Sequence, residues 1–176
     1  MKGSVDKKNG NSLTTNVTFM ENPLVSKLIN KFMKSGKKVV SEKIVCGASE
    51  MLYTYIQNKA EDIITSDGTS LKTLSEHSLV LFVINAISPS IEVKSKRVGG
   101  ANYQIPIPVK EKRALALACT WLVAAVAARS ERGAVTRLYH EMIDIINGRG
   151  FALKKKNEVH KMAEANKAFA HFANKL

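Results

Sequence analysis

The sequence has 176 residues, 45% hydrophobic and 24% charged, and its 27 Lys and Arg against 15 Asp and Glu give a formal net charge of +12. A chain of this size buries roughly 70% of the surface its unfolded form exposes, so it needs no disulfide or metal staple, and the composition excludes general disorder. The charge brings self-repulsion that a polyanion relieves, which points to nucleic acid or an anionic membrane surface.

The first positions, MKGSVDKKNGNSLTTNVTFM, are polar and rich in Gly and Asn. They have neither the apolar core of a secretory signal nor the Arg-rich pattern of an import presequence. The expectation is an extended arm over 1–21 that orders on a partner, ahead of a single helical domain over 22–176, in a protein that works where it is made. The helical part opens with NPLVSKLINKFMKSG: Asn22 as N-cap, Pro23 at the first helical position, and Leu24, Val25, Leu28, Ile29, Phe32 and Met33 on one stripe, stopping at Gly36. A second helix is predicted over Lys37–Lys59, with Val40, Ile44, Ala48, Met51, Leu52, Tyr55 and Ile56 at helical spacing. After a loop at TSDGTS, a third runs from Leu71 to Ala86 and is ended by Pro89.

The stretch from Ile91 to Val109, IEVKSKRVGGANYQIPIPV, reads as two strands around a Gly-Gly turn. A fourth helix follows over Lys110–Arg129. Its run ALALACTWLVAAVAA is shorter than the roughly 18 to 20 residues that span a bilayer, so it reads as a core helix with Trp121 as an anchor. A fifth helix starts after Gly133 and closes at Gly148, and a sixth runs from Asn157 almost to the end, with Phe169 and Phe172 packing it down. Cys46 and Cys119 fall inside apolar helical patterns, where a thiol serves as a small hydrophobe. The fold class is therefore all-α, a six-helix bundle with one protruding β-hairpin between helices three and four.

Loop length decides how the hairpin's faces match. A two-residue Gly99-Gly100 loop sets Lys96 opposite Tyr103 and Lys94 opposite Ile105, whereas a three-residue loop pairs Arg97 with Ala101, Ser95 with Tyr103 and Val93 with Ile105. The three-residue loop gives one apolar face and one face of Lys94, Lys96, Asn102 and Gln104, and it places Gly100 at a left-handed position. A ribbon with one cationic face can lie along a phosphate backbone.

VKSKRVGGANYQIPIPV, SGKKVVSEKIV from Ser35 and VHKMAEANKAFAHF from Val159 together closely resemble the ribosomal protein S7 family of the small subunit, in the family's order, from about Pro23 to Phe172. The resemblance implies a structural protein and not an enzyme. It implies one that binds the 3′ major (head) domain of small-subunit RNA and starts head assembly, with the hairpin near the mRNA exit and the exit-site tRNA and with head and platform proteins as neighbours. It implies no cofactor and no membrane. Carried over by position, the RNA-binding surface takes in Lys37 and Lys38, then Lys94, Lys96, Arg97, Gly99 and Gly100 of the hairpin. It continues with Lys110, Lys112 and Arg113 where the return strand enters the fourth helix, and with Lys154, Lys155 and Lys156 ahead of the last helix. The chain departs from the family in an N-terminal arm without Arg and in a basic turn diluted to ARSERG. Lys outnumbers Arg by 21 to 6, as in AT-rich genomes, so the expected home is a mitochondrial ribosome, with a plastid or a bacterium as alternatives.

Other chemistry has weaker support. His140 with Glu141 and Asp144, or His160 with Glu164, could place ligands on one helical face, but neither has the spacing of a zinc enzyme. Gly148-Arg149-Gly150 lacks the third glycine of a dinucleotide fingerprint and reads as a helix end. The competing class is a DNA-binding architectural protein whose basic ribbon enters a groove.

Overall fold

The computed structural model describes residues 22–59 and 70–175, so the expected arm over 1–21 lies outside the described residues. Six α-helices and one two-stranded antiparallel sheet are found there, the sheet inserted between the third and fourth helices as expected. The described residues divide into two compact units, one ending at Leu81 and the other beginning at Phe82.

In the first unit, α1 spans Pro23–Phe32, and the Asn22 side chain accepts a hydrogen bond from the Leu24 amide at 2.8 Å, satisfying one of the amides a helix start leaves open. Val25, Leu28 and Ile29 are its buried side. Helix α2 spans Lys38–Asn58 and packs against α1. Its buried side is Ser41, Val45, Cys46, Ala48, Ser49, Leu52 and Ile56, which keeps Ala48, Leu52 and Ile56 of the expected stripe but leaves Val40 and Met51 53% and 41% exposed. The displacement has a physical cause: buried hydroxyls are tolerated when they bond, and Ser49 Oγ lies 2.9 Å from the Cys46 carbonyl and 2.6 Å from Glu76 Oε1. A stripe drawn through apolar residues alone leaves out such serines. Cys46 is an inert core thiol, its pKa pushed up to about 11, first by burial and then by the Glu76, Glu50 and Glu42 carboxylates.

The third helix does not begin at Leu71. A short 3₁₀ turn, Leu71–Thr73, comes first, tied to α2 by Gln57 Nε2 donating to the Lys72 carbonyl at 2.8 Å. Helix α3 then spans Glu76–Ile87 and carries the chain into the second unit.

The second unit holds β1 (Ile91–Val98), β2 (Ala101–Pro108), α4 (Glu111–Ala128), α5 (Ala134–Ile146), α6 (Phe151–Ala165) and a C-terminal 3₁₀ segment, Lys167–Lys175. Helices α4, α5 and α6 pack on one another, α6 also packs on both strands, and β2 runs against the 3₁₀ segment. Leu122 is fully buried at the centre of α4, whereas Trp121 is half-buried and lines an open groove of about 280 Å³ with Leu117, Val159 and Met162. Trp121 is thus not the enclosed anchor that the sequence suggested. On a helix apolar all round, periodicity does not say which side faces in. The last helix begins at Phe151 and not at Asn157, so Lys154, Lys155 and Lys156 belong to it.

The hairpin register also differs from expectation. Val98 pairs with Ala101, Lys96 with Tyr103, Lys94 with Ile105 and Glu92 with Ile107, which is the two-residue loop. Gly99 and Gly100 have φ of 59° and 90°, both positive, as a type I′ turn demands. That turn matches the right-handed twist of the strands, and the match outweighs a clean division into faces. The prolines agree. Counting from the closing pair, bonded and non-bonded pairs alternate, and Pro106 and Pro108 fall at non-bonded positions where no amide is needed. The same count makes Ser90 and Val109 a bonded pair, and the Val109 amide donates to the Ser90 carbonyl at 3.0 Å.

Candidate nucleic-acid interface

With this register the cationic residues are not gathered on one face. Glu92, Lys94 and Lys96 share a side with Ile107, Ile105 and Tyr103, while Arg97 stands on the other with Asn102 and Gln104. Ile105 is fully buried, yet Lys94 directly opposite keeps an exposed side chain. A long lysine stem can cover apolar surface while its ammonium stays in water, so a mixed face is physically admissible. Tyr103 lies against Phe169, ring centroids 5.0 Å apart and tilted by 52°, a packing contact that joins β2 to the C-terminal segment.

The other expected site residues are placed as follows. Lys37 and Lys38 are exposed at the start of α2 in the first unit, Lys38 at 3.7 Å from Glu42. Gly99 and Gly100 form the tip, and among the described residues nothing beyond their chain neighbours comes within 4 Å of where a Cβ would stand. Lys110 caps α4, and Lys112 and Arg113 are exposed on its first turn. Lys154 lies over the Phe151 ring at 5.3 Å, and Lys155 reaches Glu158 at 3.2 Å; both stay exposed.

Lys156 behaves differently. It turns inward and donates to the Ala86 carbonyl at 2.8 Å, closing the end of α3, and burial pulls its pKa below the usual lysine value. One turn on, the His160 Nε2 accepts from the Ser90 amide at 3.3 Å. Helix α6 therefore grips both ends of the link between α3 and β1, and so holds the root of the hairpin. Burial first, and the Lys156 charge second, lower the His160 pKa. A lowered folded value means that its neutral form stabilises the fold above the ordinary histidine pKa of about 6.5, a contribution lost as pH falls through the folded value. Melting temperatures from about pH 7.5 to about pH 5 should accordingly fall more steeply for the native chain than for His160→Gln; equal slopes would show that His160 does not matter to the root.

What orients α6 is an ion-pair network with no local signature along the chain. Arg129 Nη1 lies 2.7 Å from both Glu141 Oε2 and Asp144 Oδ2, and its Nη2 lies 2.7 Å from Glu131 Oε1. These bonds, Glu131 foremost, raise the guanidinium pKa further above its ordinary value against the effect of burial. Glu141 is fully buried, and its other oxygen accepts from the Ala152 amide at 3.0 Å, at the start of α6 where a carboxylate is favoured. Glu141 and Asp144, weighed above as metal ligands with His140, are thus used to hold α4, α5 and α6 together. Among the described residues no group of His, Cys, Asp and Glu is placed to hold a metal ion. None of their helices is long and apolar enough to cross a membrane.

A basic helical scaffold with exposed cations on both faces of a β-ribbon and on the helix that follows it suits the class of proteins that hold a polyanion. The comparisons make the class specific. The family model described as ribosomal protein S7p/S5e matches residues 4–167. Proteins named small ribosomal subunit protein uS7 are similar to the chain. That of Verminephrobacter eiseniae is 45% identical over 148 residues, covering 84% of this chain and 85% of that one. The Coxiella burnetii protein is 40% identical over 168 residues, covering 85% and 88%, and the Methylibium petroleiphilum protein 43% over 150, covering 84% and 85%. The chain belongs to the ribosomal protein S7 family, whose members are structural, non-enzymatic constituents of the small ribosomal subunit. The architectural DNA-binding alternative has no support from these relatives.

Proposed function

We infer that the chain works as a structural constituent of the small ribosomal subunit, binding the 3′ major domain of its RNA and starting assembly of the head. The hairpin lies near the mRNA exit and exit-site tRNA, and head and platform proteins are its neighbours. The observation that supports the RNA contact is the set of exposed cations on the hairpin and the helix that follows it: Lys94 and Arg97 on β1, then Lys110, Lys112 and Arg113 at the start of α4. Lys154 and Lys155 on α6 add to it, as do Lys37 and Lys38 on α2 and the backbone of Gly99 and Gly100 at the tip, whereas Lys96 is half-buried and Lys156 is engaged with Ala86. The ribosome it serves belongs to a mitochondrion, a plastid or a bacterium; the lysine bias fits an AT-rich genome of any of these, and the bacterial relatives fit the last.

Binding of this kind is electrostatic and spread over several elements. Titrating a 3′ major domain fragment at increasing salt should give a log–log slope that grows by about 0.7 to 0.9 for every phosphate contact. The expected result is a slope of several units that drops by about one to two in Lys94→Ala/Arg113→Ala. A nearly flat salt response would refute the reading.

A further inference from the structure

Among the described residues, Glu92 is the one acidic side chain lining a cleft of about 300 Å³ at the root of the hairpin, shared with Lys94, Lys110, Arg113, Ile107 and Pro108. Its Oε2 is 3.1 Å from the Arg113 Nε and its Oε1 is 3.8 Å from the Lys94 Nζ. The Glu92 side chain is 17% exposed, against 56% and 60% for those of Lys94 and Arg113. A carboxylate between a lysine and an arginine makes the charge-assisted contacts that a nucleic-acid phosphate would make with the same two cations.

We propose that Glu92 is a built-in competitor for phosphate at this cleft: it occupies Lys94 and Arg113 in the free protein, and RNA phosphate takes them over on binding. The inference rests on the reading of this surface as an RNA interface. The geometry favours competition over mere orientation. Both cation heads are free to swing toward solvent, whereas Glu92 stays behind in the cleft, close enough to repel the incoming phosphate. Two negative charges a few ångströms apart in a partly screened cleft lower affinity, and the effect weakens as salt rises. Glu92 therefore makes the hairpin root release RNA more readily than its count of cations alone would allow, and it disfavours stray polyanions that cannot displace it.

The test is the affinity of the full chain for a 3′ major domain RNA fragment at low salt, with Glu92→Gln and Lys94→Ala/Arg113→Ala singly and combined. Both cations of these pairs are more than half exposed, and pairs open to solvent on one side contribute little to stability, so Glu92→Gln should fold as the native chain does. It should bind about three- to tenfold tighter, the gain should shrink at high salt, and it should vanish once Lys94 and Arg113 are alanine. Unchanged or weaker binding by Glu92→Gln would overturn the proposal, because an orienting carboxylate would give that result. A gain that persists without the two cations would also overturn it, since only net charge would then matter. If Lys94→Ala/Arg113→Ala leaves the native affinity unchanged, the reading of this surface fails, and the proposal with it.

Discussion

Arg129→Met is expected to lower the unfolding free energy by about 3–5 kcal/mol at neutral pH, the usual cost of removing one partner of a buried ion pair. The cost comes from what is left behind. Glu141 has no exposure, and without the guanidinium the Ala152 amide is the hydrogen-bond donor it keeps among the described residues. A second change should relieve that cost at neutral pH: Arg129→Met with Glu141→Gln keeps an oxygen for the Ala152 amide and removes the stranded charge, recovering most of the loss. A single variant that costs less than about 1 kcal/mol would show that solvent reaches Glu141 and that the network is ornamental.

Gly150→Ala is expected to cost about 1–3 kcal/mol, although a methyl group is all that is added. The backbone here has an ordinary φ of −59°, so strain in the dihedral is not the cause. The cause is space. A Cβ would stand 2.5 Å from the Ile145 Cγ1, 3.0 Å from the Glu141 Oε1 and 3.2 Å from the Ile145 amide nitrogen. Helix α6 would have to back away from α5, pulling the Ala152 amide off Glu141. Ile145→Ala removes the nearest atom, so Gly150→Ala and Ile145→Ala together should cost less than the sum of the two alone, which denaturant melts of the four proteins can measure. Strict additivity would place the strain elsewhere.

The same few residues show how far a sequence can be read. The order of elements was legible because each boundary carries local chemistry: Asn22-Pro23 starts α1, Gly99-Gly100 makes the turn, and Gly148 follows α5. Those signals act within a few residues of chain. The register of the hairpin is open to the same reasoning: side-chain patterning points to the longer loop, but two consecutive glycines favour the tight turn, and lysine stems make a mixed face cheap. The start of α6 was missed because the residues that secure it, Arg129, Glu141 and Gly150, are 12 and 21 positions apart. Nothing in ARSERG distinguishes an arginine that leaves for solvent from one that turns inward. For the interface, the cations themselves were visible; their engagement was not. That Lys156 serves Ala86, and that Glu92 meets an arginine 21 positions away, follows only once α6 and α4 lie beside the strands.

The tip of the hairpin also has a stereochemical meaning. At positive φ, Gly99 and Gly100 occupy backbone space that belongs by preference to amino acids of the opposite hand, and among the described residues nothing beyond their chain neighbours crowds the place of a Cβ. An L-alanine and a D-alanine at position 100 would have the same atoms, charge and hydrophobicity. The first would strain the turn, while the second would rest in it and also narrow the choices of the unfolded chain. Chirality at this one carbon thus separates the shape of the loop from its chemistry, so that whatever the tip contributes by its form can be varied without altering a single functional group.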